Sequence, residues 1–269
     1  AAGTVTAGFY PNPLNREIGN AEMGQTELVY NYPRTIHANN LYEWRTSSAT
    51  VRDERNAKLI SERVQDSMQD ADLSKIFTFD DDSRQEYYVF LNDADGTALV
   101  NGYITDTWYK YTNLPVVAAA RDGNDIYFGL SNGKVALFSE NVHSDDGQAI
   151  ISEFYSGNMD FGADFQRKHS SVIWVSLKPA ANARVVVSAK SDKKSSYAEK
   201  VIFSNVAGFG NVDFNHFSFR TSRAPIMTRI KLKVKKFVYY KLYIRADSVA
   251  NDTTVLGADI RVRYTGYVK

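Results

Sequence analysis

The stretch from Lys75 to Phe161 constrains the fold most, because it contains two consecutive units of four short β-strand patterns each. The first unit reads KIFTFD, EYYVFLND, TALVNGYI and TWYKYTNL, and the second reads VVAAARDG, DIYFGLSN, KVALFSEN and AIISEFYSG. Turn residues occur at corresponding places, Asp95-Gly96 in the first unit and Asn132-Gly133 in the second. Two units of about forty residues with four strands each are typical of β-propeller blades. An ordinary antiparallel meander is the alternative.

A propeller needs about four blades to close its ring. Because two are visible in this sequence, we expect an open ring, or one completed by the first sixty residues or by other copies of the chain. Aromatic residues make up 13% of the chain, which favours β-structure in which rings cover half-buried faces.

Cysteine is missing from the sequence, so disulfides and zinc-thiolate sites are excluded. The sequence has no apolar run of about 18 residues, and no charged segment followed by an apolar core opens it. Neither a membrane span nor a secretory signal is therefore predicted.

The net charge of +1 conceals two oppositely charged halves. Residues 1–160 contain 12 Lys and Arg against 24 Asp and Glu, a net charge of −12, and residues 161–269 contain 20 against 7, a net charge of +13. This change predicts a domain boundary near Phe161-Gly162. A dipolar subunit of this kind favours head-to-tail contact between copies, or a basic face turned towards a polyanion.

The first seventy residues divide into two parts. Residues 1–50 are rich in Gly, Asn and Pro and poorly periodic, which predicts an irregular N-terminal arm ordered by a neighbour; an irregular set of propeller strands is the alternative. Residues 51–70 are predicted to form the one convincing helix, because Ile60, Val64 and Met68 recur at a spacing of four. The domain that follows the arm is therefore residues 51–161, a helix plus two blades.

Two acidic stretches in the blades were tested as metal sites. Asn92 to Gly96 offers clustered oxygen ligands, but an EF-hand loop started at Asp93 needs Glu twelve positions on, where Ile104 stands. A hairpin turn is the preferred interpretation, since Asp-Gly supplies the positive φ angles of tight turns. Asp80 to Asp82 is likewise predicted to be a solvated turn.

Residues 162–269 alternate between apolar and polar positions and predict a basic β-sandwich or jelly-roll domain of about seven strands. The predicted strands are VIWVSL, RVVVSAK, KVIFSN, VDFNHFSF, IMTRIKLKVK, FVYYKLYIR and VLGADIRVRY. Within the fifth, Ile230, Leu232 and Val234 are expected to face the core. In the last, Ile260, Val262 and Tyr264 are expected to do the same.

The cations of these two strands form the only group of residues in the sequence that predicts a function. The predicted basic interaction face consists of Arg229, Lys231, Lys233, Lys235, Arg261 and Arg263. Like charges at period two repel one another unless an anionic partner lies against them. The functional interpretation is contact with a nucleic-acid backbone or with the acidic half of another subunit. The alternative is a solvated Lys-rich face that blocks aggregation.

No catalytic, cofactor or metal residue is predicted. The four histidines, His37, His143, His169 and His216, have no metal-ligand spacing, and His216 is expected to be packed or on the surface. No nucleophile elbow, P-loop or dinucleotide fingerprint occurs. An enzyme is therefore not expected.

The middle of the chain resembles a family of virion proteins. The segments LYEWRTSSATVRDERNAKLISERVQ, TDTWYKYTNLP and GNDIYFGLSNGKVALFSE look like the β-propeller region of tail hub or nozzle proteins of short-tailed bacteriophages, of the tail stabilisation or tail tubular protein B type. The passage from Met159 to Pro179 and the strand from Ala258 to Gly266 resemble the sandwich that follows the blades in that family. The resemblance covers residues 41–269 and rests on the order of elements.

This resemblance implies a structural protein located in the virion tail. Such proteins form a ring, usually a hexamer, below the portal and its adaptor, and the ring is the conduit through which the genome leaves. The expected partners are copies of the chain, other tail and adaptor proteins, and DNA in transit. Family members are generally longer and carry a full set of blades, whereas two blades are evident in this sequence.

Two further classes of function remain as alternatives. A carbohydrate- or receptor-binding tail or adhesin module would use exposed aromatic residues such as Tyr87, Tyr88 or Tyr109 as stacking platforms. A glycan-degrading enzyme on a propeller would need a pair of carboxylates in a pocket.

Overall fold

The computed structural model describes residues 15, 17–20, 22–45, 56–139, 142, 144–145, 147–180, 184–195, 197, 199–203, 224–247 and 253–267. The chain divides into two compact units, residues 1–139 and residues 140–269. Both units are built from antiparallel strands. No described helix is long and apolar enough to cross a membrane.

Unit 1 contains three consecutive antiparallel meanders, which we call the first, middle and third sheets. The first sheet consists of β1 (Thr26–Val29), β2 (Tyr32–His37), β3 (Asn40–Trp44) and β4 (Ala57–Leu59). The middle sheet consists of β5 (Phe77–Asp81), β6 (Glu86–Phe90), β7 (Ala98–Gly102) and β8 (Thr107–Tyr111). The third sheet consists of β9 (Val116–Asp122), β10 (Asp125–Leu130) and β11 (Val135–Phe138).

The middle sheet is buried on both faces, because apolar residues occupy consecutive positions of β6 and β7. Tyr87, Val89 and Leu99 belong to a core that includes Val29, Ile36 and Leu41 of the first sheet. The next residues along, Tyr88, Phe90 and Val100, belong to a second core with Ile126 and Phe128 of the third sheet. Blade-like sheets stacked in this way confirm the predicted fold class.

The turn between β6 and β7 is the predicted hairpin turn. Gly96 has φ of 58°, a left-handed conformation that favours glycine. A Cβ atom at this position would lie only 2.7–2.8 Å from backbone atoms of Leu114 and Pro115. The Asp93 carboxylate accepts a hydrogen bond from the Thr97 backbone N–H at 2.7 Å, which is a turn contact.

The prediction of an irregular arm over residues 1–50 is wrong for residues 26–44, which form β1 to β3. Their alternation is short, but it buries Val29, Ile36 and Leu41 against the middle sheet. Tight turns connect β1 to β2 and β2 to β3, with positive φ at Asn31 and Asn39 among other residues. The backbone pairing between these strands stabilises the sheet further. The alternative of a set of irregular blade strands is therefore the better description, and residues 1–14 lie outside the described residues.

The predicted helix over residues 51–70 is also largely wrong. Residues 57–59 form β4, which pairs with β3, and residues Glu62–Val64 form a 3-10 turn. The helix α1 spans only Gln65–Gln69, and residues 51–55 lie outside the described part. The backbone N–H of Leu41 donates to Ser61 Oγ at 3.0 Å, so contacts with β3 override the helical periodicity. Met68 is nonetheless fully buried, as its place on the predicted apolar stripe requires.

Unit 2 is a sandwich of two antiparallel sheets, preceded by a small hairpin of β12 (Ser144–Asp145) and β13 (Gln148–Ala149). The four-stranded sheet has the order β14 (Ser152–Tyr155), β19 (Tyr240–Ala246), β16 (Arg184–Ser191), β17 (Lys200–Phe203). The three-stranded sheet has the order β18 (Ile226–Phe237), β15 (Gln166–Lys178), β20 (Thr254–Tyr267). One apolar core joins inner residues of both sheets, including Val175, Val187 and Leu242. The predicted strand VDFNHFSF, with His216, lies outside the described residues.

The division between the units falls about twenty residues before the predicted Phe161-Gly162 boundary. The reason is β14, which was predicted to be the last strand of the second blade. Its residues Ser152 to Tyr155 instead pair with β19 of the sandwich, and the Tyr155 and Tyr243 rings stack with centroids 4.6 Å apart. The second predicted blade therefore has three strands in the described residues.

Lys168 lies on the inner side of β15 and is completely buried. Its Nζ donates to the backbone carbonyls of Ala163, of Gln166 at 3.0 Å and of Val238 at 3.2 Å. These bonds tie the loop before β15 to the hairpin between β18 and β19. A buried ammonium is tolerated when hydrogen bonds satisfy it in this way.

Candidate basic interaction surface

The four cations of β18 alternate with buried apolar residues, as the sequence predicts. Arg229, Lys231, Lys233 and Lys235 are exposed. Ile230, Leu232 and Val234, which lie between them, are members of the sandwich core. Successive side chains of a strand point to opposite faces, so the cations share the outer face of the three-stranded sheet.

Strand β15 lies between β18 and β20 and joins their cations into rows. Lys235 and Arg263 are both register partners of His169. Lys231 and Arg261 are both register partners of Val172. Since neighbouring strands lie about 4.8 Å apart, each row places two cations about 10 Å from each other. We call the surface formed by the six cations the basic sheet face: it consists of Arg229, Lys231, Lys233, Lys235, Arg261 and Arg263.

A β-bulge in β15 shapes the centre of the basic sheet face. The register shifts between Ser170 and Val172 on both sides of β15. Ser170 pairs with core-facing residues of β18 and β20, whereas Val172, two residues later, pairs with Lys231 and Arg261 of the outer face. Val172 is not part of the sandwich core and is 5% exposed between its partners Lys231 and Arg261. The aliphatic stems of long cationic side chains commonly cover apolar surface in this way.

The cations of the basic sheet face have no acidic partner in the part of the chain that the structure describes. Within the described residues, no carboxylate lies within 4.0 Å of a charged nitrogen of any of the six. Other cations of unit 2 do pair, for example Arg245 with Asp247 at 3.1 Å. Asp259 lies on the same face and shares the register partner Trp174 with Arg229, but no ion pair joins it to a cation of this face within the described residues. Within the described residues, the positive charge of this face is therefore not neutralised by a contacting carboxylate.

The structure adds His169 and Ser171 to the predicted residues. His169 and Ser171 line a depression of about 150 Å³ together with Arg261 and Arg263. The sequence gives no alternation that could reveal His169, because residues 166–171 (QRKHSS) are all polar, and the predicted strand therefore begins only at Val172. Tyr264 was expected in the core and is instead 49% exposed, where its hydroxyl donates to the Phe161 carbonyl at 2.7 Å.

The prediction of a solvated turn over Asp80 to Asp82 is wrong for Asp80 and Asp81 and holds for Asp82, which lies in an exposed turn. Asp80 and Asp81 end β5, and Asp81 is completely buried, with a 2.9 Å ion pair to Arg84 and a hydrogen bond from Ser83. Asp82 is exposed and pairs with Arg121. No group of three or more potential metal-ligating residues occurs within the described part of the chain.

Asp80 has an unusual environment for a carboxylate. Its Oδ1 atom is buried and has no hydrogen-bond partner. Burial, followed by the charges of Glu27 and Asp81, raises the pKa of Asp80 to about 6, although Arg34 and Arg121 oppose the rise. Burial also raises the pKa of Glu27 above its usual value. The ionised form of Asp80 therefore costs stability at neutral pH.

Replacing Asp80 by asparagine should stabilise unit 1 at about pH 7 and have only a small effect at about pH 4. A pKa raised by about two units corresponds to about 3 kcal/mol, and partial exposure reduces the expected gain to about 1–2 kcal/mol. The native carboxyl regains this stability as the pH falls through its folded-state pKa towards its unfolded value. Urea unfolding, with hydrogen exchange of middle-sheet peptides as the readout, measures the difference. Asp95→Asn, at an exposed turn, is the matched control, and an equal gain at both pH values would contradict the prediction.

The residues proposed as sugar-stacking platforms are mostly inaccessible. Tyr87 and Tyr88 are completely buried in the two cores of unit 1, and only Tyr109 is exposed, at 49%. The first two therefore cannot stack on a carbohydrate in the folded protein.

The comparisons with known proteins do not identify a family. No protein-family model and no curated protein matches the sequence. Among solved structures, the chain is similar to two structures of an exo-β-1,3-galactanase from Phanerochaete chrysosporium, one of a variant with β-1,3-galactotriose and one with galactose, at 8% and 9% identity. Each match covers 86% of this chain but 65% of the galactanase chain, with a TM-score of 0.21. A TM-score this low supports no inference about the function of this chain.

Proposed function

We propose that this chain is a structural subunit of the tail of a short-tailed bacteriophage, of the hub or nozzle type. In this role it lies in the virion, assembles with copies of itself and with neighbouring tail proteins, and forms part of the conduit for genome ejection. It acts by binding and not by catalysis. The basic sheet face is its contact surface for an anionic partner.

The observation that carries this proposal is the set of six cations on one sheet face without an acidic partner in the described residues. Grouped like charges raise the energy of an isolated subunit, and an opposing anionic surface removes that cost. The sandwich core holds the strands of this face in fixed register, so the charges are presented as a rigid pattern.

The charge of the two units supplies a partner surface within the same protein. Unit 1 carries 12 Lys and Arg against 19 Asp and Glu, a net charge of −7. Unit 2 carries 20 against 12, a net charge of +8. Unit 1 of one copy can therefore attract the basic sheet face of the next, and such head-to-tail contacts generate rings or filaments.

The mass of the protein in solution at two salt concentrations tests this proposal. We expect a defined oligomer at about 0.05 M NaCl that dissociates at about 0.5 M, because screening shortens the reach of surface charges to a few ångströms. Multi-angle light scattering measures both states. A monomer at both concentrations would contradict assembly through charge, and an oligomer indifferent to salt would contradict the role of the basic sheet face.

A further inference from the structure

We infer that the depression between β15 and β20 is a binding site for a phosphate group. Its four lining residues are His169, Ser171, Arg261 and Arg263. They supply two guanidinium groups, an imidazole and a hydroxyl to one small volume. The inference concerns a single subsite of the basic sheet face and holds or fails independently of the proposed tail function.

Strand geometry brings these side chains together. Arg261 and Arg263 are two residues apart on β20 and therefore lie on the same face, about 7 Å from each other. His169 is the register partner of Arg263, and Ser171 lies at the bulge beside the partner of Arg261. Without the bulge, Ser171 would sit in a regular ladder, and the opening between the strands would be narrower.

The donors of this depression are unused among the residues that the structure describes. No hydrogen bond or ion pair engages the side chains of Arg261, Arg263 or His169 within the described residues. Two other arginines of unit 2, Arg184 and Arg245, both pair with Asp247. Converging donors without an acceptor are the pattern expected of an anion site.

The number and kind of donors favour phosphate over a carboxylate. A guanidinium presents its N–H groups as a planar fork that binds two oxygens at once, and two such forks match the several oxygens of a tetrahedral oxyanion. The Ser171 hydroxyl is a further, uncharged donor, and it can donate a hydrogen bond to a third oxygen of the anion. A carboxylate has only two oxygens and would leave part of this set unpaired.

The experiment titrates the full-length protein with inorganic phosphate at constant ionic strength, with acetate as the competing carboxylate. NMR signals of the His169 imidazole and of the arginine Nε–H groups report binding at the site. We expect saturable binding of phosphate that is at least tenfold weaker in Arg261→Gln and in Arg263→Gln, and several-fold weaker in Ser171→Ala. Glutamine keeps an aliphatic stem over Val172, so the fold is preserved. Lys200→Ala removes an exposed cation from the other sheet and should change nothing.

The outcomes separate the possibilities. Equal weakening in Lys200→Ala, no effect of either arginine substitution, or acetate binding as tight as phosphate would each overturn the inference. A short oligothymidylate, titrated in the same way, distinguishes the source of the phosphate. If the arginine variants also lose oligothymidylate, the site accepts a phosphodiester; if they lose phosphate alone, it accepts a free or terminal phosphate.

Discussion

Replacing Lys168 by alanine should lower the free energy of unfolding of unit 2 by about 3–5 kcal/mol, the largest single-residue effect we expect. The Nζ atom is completely buried and donates to three backbone carbonyls. Removing it deprives the Gln166 and Val238 carbonyls of this donor and opens a cavity inside the sandwich, whereas the Ala163 carbonyl still accepts from the Gln166 backbone N–H at 3.3 Å. Each buried polar group left unpaired costs about 1–3 kcal/mol.

Hydrogen exchange of β15 and β16 peptides, measured in increasing urea, reports the opening of the sandwich separately from unit 1. Lys178→Ala provides the matched control, since Lys178 is exposed at the end of the same strand. Lys168→Met restores most of the volume but no donor, so its cost should be intermediate. A loss below about 1 kcal/mol in Lys168→Ala would show that the Gln166 and Val238 carbonyls find other donors, and would contradict the prediction.

Reversing two charges of the basic sheet face should weaken self-association at low salt by at least about a hundredfold. In Lys231→Glu/Lys233→Glu, two attractions to an anionic partner become repulsions. Coupling energies of close charge pairs at interfaces are about 1.5 kcal/mol or more, so two such changes account for a hundredfold. Both positions are exposed and lie on a strand held by its inner residues, so the fold should be unaffected.

Sedimentation velocity over a range of protein concentrations measures the dissociation constants. The double variant Lys193→Glu/Lys200→Glu changes the net charge by the same amount, at exposed positions outside the basic sheet face. If both variants lose association equally, net charge is responsible and the basic sheet face is not. If neither does, the cations of β18 make no contact between copies.

The alternation of β18 could be predicted because it is a local property. A period of two over ten residues with apolar residues on one side leaves a single register that buries them. The middle sheet was recognised for a similar reason, since β-rich runs separated by Asp-Gly and similar turns specify hairpins. The alternation predicts an outward direction for the four cations of β18, but it cannot predict that β15 brings the cations of β20 beside them.

The features that the sequence did not reveal depend on contacts between distant residues. Strand β14 joins the sandwich only because β19 offers it a pairing edge about ninety positions later. The burial of Lys168 depends on the Val238 carbonyl of the hairpin between β18 and β19. The depression between β15 and β20 depends on the bulge in β15. The helix predicted over residues 51–70 is wrong for the same reason, because pairing between β3 and β4 overrides a local apolar period of four residues.

Zero-length crosslinking in a mixture of normal and ¹⁵N-labelled protein tests the central claim most directly. A carbodiimide joins a lysine to a carboxylate only where the two are in contact, and mixed isotope pairs identify crosslinks between copies. The account predicts mixed crosslinks from Lys231, Lys233 or Lys235 to Asp or Glu residues of unit 1, formed at low salt and lost at high salt. Mixed crosslinks that avoid these lysines, or none in a sample shown to be oligomeric, would contradict it.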